Sequence, residues 1–391
     1  MKAERRLAMD FASLIEMSRK YGSDPEFVLA GGGNTSRKEG GAMAVKASGA
    51  ALSDIDEDGF VLMDVGRLRA LTQNIYPGGD DEREACAARD MMAARLDGQG
   101  EKRPSVECIL HALFPQKYVL HVHPPLINGL TCGRDGAEAA AGLFSDVLDG
   151  FLWFPLIKPG LVLSKACADA FAGHNGRYGK YPSVVLLQNH GIFVAADDTE
   201  GIDRLMADAV RRVSSRVARR PDFTPVDGLY GTCQGDGSFG PPCQGDGSFG
   251  AELETLYGGV AKCLVNNEIA RLVSSREAYA PLLRPFSPDH IVYCRAYPLF
   301  IEDADTMADG FAAYEARHGY KPKIVAVSGV GAFALGKDEN EAGKAAELFT
   351  DAVKVAVYSE SFGGPLHLPD DFTEFIVNWE IESYRQKQAF G

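Results

Sequence analysis

The chain has 391 residues, of which 46% are hydrophobic and 24% charged. That is enough globular-type sequence for two domains, or for one large domain with an appendage. A formal net charge of −14 argues against a general nucleic-acid binder, whose phosphate contacts need clustered Lys and Arg.

The first predicted element is an amphipathic helix over 5–21, inside an N-terminus (MKAERRLAMDFASL) with no uninterrupted apolar run of the secretory kind. Residues 27–50 read as strand–loop–strand, followed by helices over 82–97 and 106–114 and a strand over 117–123. A helix over 137–149 comes next. VVLLQNHGIFVAA (184–196) reads as two short strands meeting at a turn, and 198–219 as a long helix. This alternation predicts a mixed α/β domain over 1–225. No stretch reaches the roughly 18 apolar residues of a membrane span. The eight cysteines include no C-x-x-C, which fits a cytoplasmic protein with reduced thiols.

Residues 233–240 and 243–250 both read CQGDGSFG. Rich in glycine and without periodicity, the pair predicts a linker or surface loop over 226–252, and it lacks the acidic count of a calcium loop. A second α/β domain is expected over 253–391. Its stretch KIVAVSGVGAFALGKDENEA (323–342) repeats the pattern of SVVLLQNHGIFVAADDTEG (183–201), with Gly331 matching Gly191 and Phe333 matching Phe193. The second domain therefore reads as a degenerate copy in which Asn189 and His190 have become Gly329 and Val330.

The chemistry gathers on few side chains. On a strand, positions i and i+2 share a face, so His121 and His123 of VLHVHPP project together. Taken alone, H-x-H is a weak motif, more often two satisfied polar histidines on a half-buried face than a chelate. His190 ends an apolar strand ahead of Gly191, which suits a tight turn with close backbone approach. Three imidazoles with an open fourth position are what a catalytic zinc site requires. Glu107 follows a Pro-Ser helix start, with Ser105 as the expected N-cap and the carboxylate in the first turn. It is a candidate ligand or general base. His111, one turn on, reads as packing or as support for the site. Gly33 and Asn34 in LAGGGNTSRK, and Ser48 and Gly49 in KASGAAL, sit in loops that offer N–H groups and hydroxyls to an anion.

GGGNTS, KASG, PSVE-x-x-LHA-x-x-P, H-V-H-P and NHGIF, in this order, resemble the class II aldolase/adducin family. The nearest resemblance is to the aldolase portion of bifunctional rhamnulose-1-phosphate aldolase/dehydrogenase proteins. It covers about residues 5–220, with a further likeness in the segment after them. It implies a three-layer α/β/α domain around a central, mostly antiparallel sheet. It also implies a divalent metal, usually Zn2+, on His121, His123 and His190, with Glu107 as the catalytic glutamate. Gly33, Asn34, Ser48, Gly49 and Ser105 match the positions that hold a substrate phosphate. Val106 stands where fuculose-phosphate aldolases carry a second serine. Because the chain ends at Gly391, no dehydrogenase activity is expected. The implied reaction is cleavage of a ketose 1-phosphate to dihydroxyacetone phosphate and an aldehyde through an enediolate. The expected partner is a small-molecule sugar phosphate, in a homo-oligomer. Tyr230 and Tyr257 are candidates for the acid near the departing aldehyde. Sugar-phosphate epimerases and decarboxylases use the same scaffold, and adducin-like members bind proteins without catalysis; the intact histidines and Glu107 argue against the latter.

Overall fold

A computed structural model describes residues 9–96, 98–226 and 248–378. The chain divides into two compact units: Met1–Ile127 with Ala137–Arg216, and Asn128–Gly136 with Val217–Gly391.

Among the described residues of the first unit runs a seven-stranded sheet. Its strands are β1 (Asn34–Glu39), β2 (Ala42–Lys46), β3 (Phe60–Asp64), β4 (Tyr118–Val122), β5 (Phe151–Phe154), β6 (Val184–Leu187) and β7 (Gly191–Ala196). The order is β3-β2-β1-β4-β7-β6-β5. Every pairing is antiparallel except β5 with β6.

Helices α1 (Ala12–Gly22), α2 (Val65–Leu71), α3 (Asp80–Ala93), α4 (Cys108–Leu113), α6 (Gly136–Leu143), α7 (Leu161–Tyr178) and α8 (Thr199–Ser214) accompany these strands, while α5 (Pro125–Thr131) belongs from Asn128 onward to the second unit. On one face of the sheet, α4 and α7 bury Leu110, Phe114, Cys167 and Phe171 against Val119, Val185 and Phe193. On the other, α1 packs on β1, and α8 on β4 and β7. The result is an α/β/α sandwich with a mostly antiparallel sheet, as the resemblance implied. With both faces covered, β4 is buried at every position. That is why YVLHV lacks the polar alternation of a half-exposed strand.

Several boundaries differ from the sequence-based expectation. Among the described residues the first helix begins only at Ala12, after Phe11. Helix α4 starts at Cys108, which makes Glu107 its N-cap residue rather than a member of its first turn. Ser105 does not cap the helix proper: its Oγ accepts from the N–H of Glu107 at 3.4 Å, and its carbonyl from that of Cys108 at 3.0 Å. The chain thus makes a tight turn before the helix begins. The helix expected over 137–149 breaks after Leu143 into a 3-10 segment.

In the second unit, α9 (Ser248–Tyr257), β8 (Val260–Leu264), α10 (Asn267–Leu272), α11 (Arg276–Tyr279), α12 (Pro288–Cys294), β9 (Leu299–Ile301), α13 (Met307–His318), β10 (Ile324–Val327), β11 (Gly331–Gly336), α14 (Glu339–Ser359) and α15 (Asp370–Asn378) are described. The CQGDGSFG duplication lies outside the described residues up to 247. Its last three residues open α9, where a linker was expected.

The four-stranded sheet of this unit has the order β8-β11-β10-β9. Its pairings are antiparallel, antiparallel and parallel, the pattern of β4-β7-β6-β5. The register repeats as well: His121 faces Phe193 in one sheet, and Cys263 faces Phe333 in the other. Asp198 caps α8 and Asp338 caps α14, each accepting from the N–H three residues on. Gly179 and Gly319 end α7 and α13 in the same left-handed conformation. By this correspondence, His121, His123 and His190 become Cys263, Val265 and Val330.

Candidate metal centre

Three neighbouring strands build the floor of the site. The β1–β4 register pairs Asn34 with His121, and the β4–β7 register pairs His121 with Phe193. Residues paired across an antiparallel sheet share a face, so Asn34, His121 and Phe193 point toward α4 together. The His121 ring stacks on Phe193 with centroids 4.0 Å apart and is fully buried. His123 lies just past the end of β4, and its Nε2 is 2.9 Å from Nε2 of His121. His190 sits in the β6–β7 turn. The left-handed residue of that turn is Asn189, at φ 57°, not Gly191. Gly191 serves the close approach instead: a Cβ there would stand 2.6 Å from the Val122 carbonyl oxygen and 2.7 Å from Cδ2 of His123.

The ligand atoms of the three histidines lie within 4.8 Å of one another, a grouping that could hold a single ion once the rings close slightly to Zn–N distances of about 2.0–2.1 Å. Nδ1 of His121 is 3.0 Å from the carbonyl oxygen of Ile192. A carbonyl can only accept, so the ring proton sits on Nδ1 and Nε2 keeps its lone pair for the centre. Burial holds the ring well below the usual histidine range, with the Glu107 charge opposing.

Glu107 completes the cluster from α4. Its Oε1 is 3.3 Å from Nε2 of both His121 and His190, yet this buried oxygen has no hydrogen bond. Its Oε2 accepts from Nδ2 of Asn34 at 2.7 Å. Burial alone would raise this carboxyl. The neighbouring imidazoles, whenever they carry a proton, and the Asn34 amide oppose it and draw the carboxyl below the usual carboxylate range. An orphaned carboxylate oxygen among imidazole lone pairs is a donor set suited to a divalent cation.

The remaining predicted residues lie on three segments tied to one another. Ser48 N–H donates to the Arg103 carbonyl at 2.8 Å, and Ser105 N–H to that of Lys46 at 2.9 Å. Lys46 Nζ donates to the Gly31 carbonyl at 3.3 Å. Gly33 and Gly49 have φ of 64° and 89°, a region that excludes most side chains. At Gly33 a Cβ would also come within 2.9 Å of the His121 carbonyl oxygen. The loops carrying Gly33, Ser48, Gly49 and Ser105 are therefore hydrogen-bonded neighbours. Asn34 turns its amide to Glu107 and to His111.

Two further contributors lie on β1. Ser36 lies 2.7 Å from His111 Nδ1, and Lys38 Nζ donates to the His111 carbonyl at 2.9 Å. Their signal was the alternation Asn34, Ser36, Lys38 on one strand face, hidden by the glycine run ahead of it. Of the tyrosines considered as acids, Tyr257 ends α9 in the second unit, where burial and then Glu341 push it up to about 12. Tyr230 lies outside the described residues.

Known proteins resemble parts of this chain. The family profile described as Class II Aldolase and Adducin N-terminal domain matches residues 12–207, half of the chain. Over 95% of its length the chain is 22% identical to the "Uncharacterized oxidoreductase YuxG" of Bacillus subtilis (strain 168), and it spans 57% of that relative. Among solved structures, the N-terminal class II aldolase domain of a conserved protein from Thermoplasma acidophilum is 27% identical, with a TM-score of 0.45, over 55% of this chain and 96% of that one. The l-fuculose-1-phosphate aldolase from Thermus thermophilus is 14% identical, with a TM-score of 0.34, over 52% and 92%. The matched span runs from α1 into α8 and holds the three histidines and Glu107: the chain belongs to the class II aldolase and adducin family.

Proposed function

We propose that the chain is a metal-dependent aldolase that cleaves a ketose 1-phosphate to dihydroxyacetone phosphate and an aldehyde. The observation that carries this reading is a cluster of three imidazoles, two of them 3.3 Å from a buried carboxylate oxygen that has no hydrogen bond. His121, His123 and His190 would hold a divalent cation, Zn2+ by the resemblance. When bound, that cation supplies Lewis acidity, lowering the cost of the negative charge left on the substrate when the C3–C4 bond breaks.

The protein's own residues account for the rest. Glu107, ionised at neutral pH and buried, is the proton carrier for the substrate carbon that loses its aldehyde partner. Asn34 holds its second oxygen, which limits the carboxylate to small excursions about a fixed axis. Glu107 and Asn34 are both buried, so little water screens the carboxylate charge. Gly33, Asn34, Ser48, Gly49 and Ser105 belong to the loops proposed to receive the phosphate, with Lys46 as the nearby cation. A homo-oligomeric assembly is part of the same proposal.

The test is a retro-aldol assay. Purified, metal-loaded protein is given a panel of ketose 1-phosphates with and without chelator, and dihydroxyacetone phosphate release is followed. Chelator-sensitive release is expected, with non-phosphorylated ketoses far poorer. No release across the panel would overturn the aldolase reading and favour epimerisation, decarboxylation or binding without catalysis.

A further inference from the structure

Beneath the candidate centre, β1 and α4 are joined by a ladder of polar side chains. β1 turns Asn34, Ser36 and Lys38 to one side, and Glu107 and His111 lie one helical turn apart opposite them. His111 is fully buried and packs edge-on against Phe193, centroids 5.5 Å apart. Its Nδ1 lies 2.7 Å from Ser36 Oγ and its Nε2 2.5 Å from Asn34 Oδ1. Asn34 passes the connection on, its Nδ2 donating to Glu107 Oε2 at 2.7 Å.

The direction of every proton in this chain follows from its end. Asn34 Nδ2, which can only donate, lies 2.7 Å from Glu107 Oε2, so the amide turns its NH2 to the carboxylate. Its Oδ1 then faces His111 and only accepts, so the His111 proton lies on Nε2. The bare Nδ1 is left to accept from the Ser36 hydroxyl. Burial and then the Lys38 charge hold the ring at about 3, in keeping with one neutral tautomer.

We propose that His111 is a positioning residue that fixes Glu107 through Asn34. By donating from Nε2 it decides which end of the Asn34 amide faces the carboxylate, and so leaves Glu107 Oε1 as the oxygen free to work at the centre. Reversed, the amide would set its own oxygen against the carboxylate, two acceptors at hydrogen-bond distance. The catalytic part of this inference rests on the proposed role of Glu107; the tautomer and the orientation of Asn34 do not.

The test uses His111→Phe, which keeps an aromatic ring against Phe193 without a donor, and His111→Gln, whose amide can still donate to Asn34. Protein labelled with [15N]histidine reads the tautomer in wild type. One ring with its proton on Nε2, unchanged from pH 5 to 8 and lost in both variants, is expected. For aldol cleavage, kcat of His111→Phe should fall ~10–100-fold while KM moves less than about threefold. Metal content should stay within about twofold of wild type in every variant. His111→Gln should recover most of the loss. His111→Phe added to Asn34→Ala should lower kcat no further than Asn34→Ala alone. Wild-type kcat in His111→Phe would overturn the proposal by showing that packing suffices. Additive losses in the double variant, or a ring that carries its proton on Nδ1 or titrates within that range, would overturn it too. If the wild-type protein turns over nothing on the panel, the aldolase reading falls, and the nitrogen spectra alone decide the claim about His111.

Discussion

Gly191→Ala tests the site by steric means alone, without touching a candidate ligand. A Cβ at this position would lie 2.7 Å from Cδ2 of His123, 2.6 Å from the Val122 carbonyl oxygen and 3.4 Å from Cε1 of His121. Ordinary contact begins near 3.4 Å, so the His123 ring or the β7 backbone must give way by about 0.7 Å. Metal–ligand distances tolerate about 0.2 Å. The ring therefore leaves its ligand position, or the β4–β7 pairing opens. Either route should weaken metal binding roughly 10–100-fold, measured by competition against a chromophoric chelator. The matched change in the other unit, Gly331→Ala, meets the Cγ2 of Val265 at 2.9 Å. It should leave metal binding unchanged, because no histidine is displaced. Wild-type affinity in folded Gly191→Ala would refute the reasoning: either the strand shifts freely or His123 is no ligand.

Four further outcomes are expected. Alanine in place of His121, His123 or His190 should each sharply lower bound metal, read by elemental analysis; unchanged content in any of them removes that residue from the site. Glu107→Gln keeps the volume and loses the charge, so the fold should persist while most turnover goes, and full activity would remove Glu107 from the chemistry. Titration should give one tightly held ion per chain, since Cys263, Val265 and Val330 replace the histidines of the second unit; two equivalent ions would contradict that correspondence. Stability should fall as pH drops from about 6.5 toward about 3. Across that window the unfolded chain binds a proton at residue 111 that the folded chain refuses, a slope of up to ~1.4 kcal/mol per pH unit. His111→Phe should flatten thermal unfolding against pH there by about one proton, and an unchanged slope would show that His111 is not held neutral.

Much of the site was legible because its residues lie at strand ends, where spacing alone fixes direction. The i, i+2 rule placed His121 and His123 together before any fold was known, and the paired strands 184–196 placed His190 in a turn. What was not legible depends on registers between distant segments. Nothing in GGGNTSRK says that Asn34 will stand beside His121, or that the alternate residue Ser36 will meet a histidine 75 positions later. Helix starts were misread for a related reason. Ser105 has the side chain of an N-cap, but its own N–H is committed to the Lys46 carbonyl. The chain is held in a turn for two more residues, and Glu107 is displaced toward the histidines. Helices α2, α5 and α7 were missed, and so were strands β3 and β5, because a short run such as FVLMD does not announce its type by period alone.

The second unit supplies an internal control on what the fold requires. Its strands β8, β11 and β10 repeat the order and register of β4, β7 and β6, and a capped helix follows at the same place. The turn that holds His190 in one unit holds Val330 in the other, after Asn189 at φ 57° and Gly329 at φ 69°. Phenylalanine remains opposite both central strands, yet His121 stacks on one and Cys263 faces the other. A sheet of this topology therefore closes without a single histidine at these positions. Burying His121 costs its hydration, a cost that the cysteine at the matching position avoids. The three imidazoles and the carboxylate set against them are what the proposed metal site would account for.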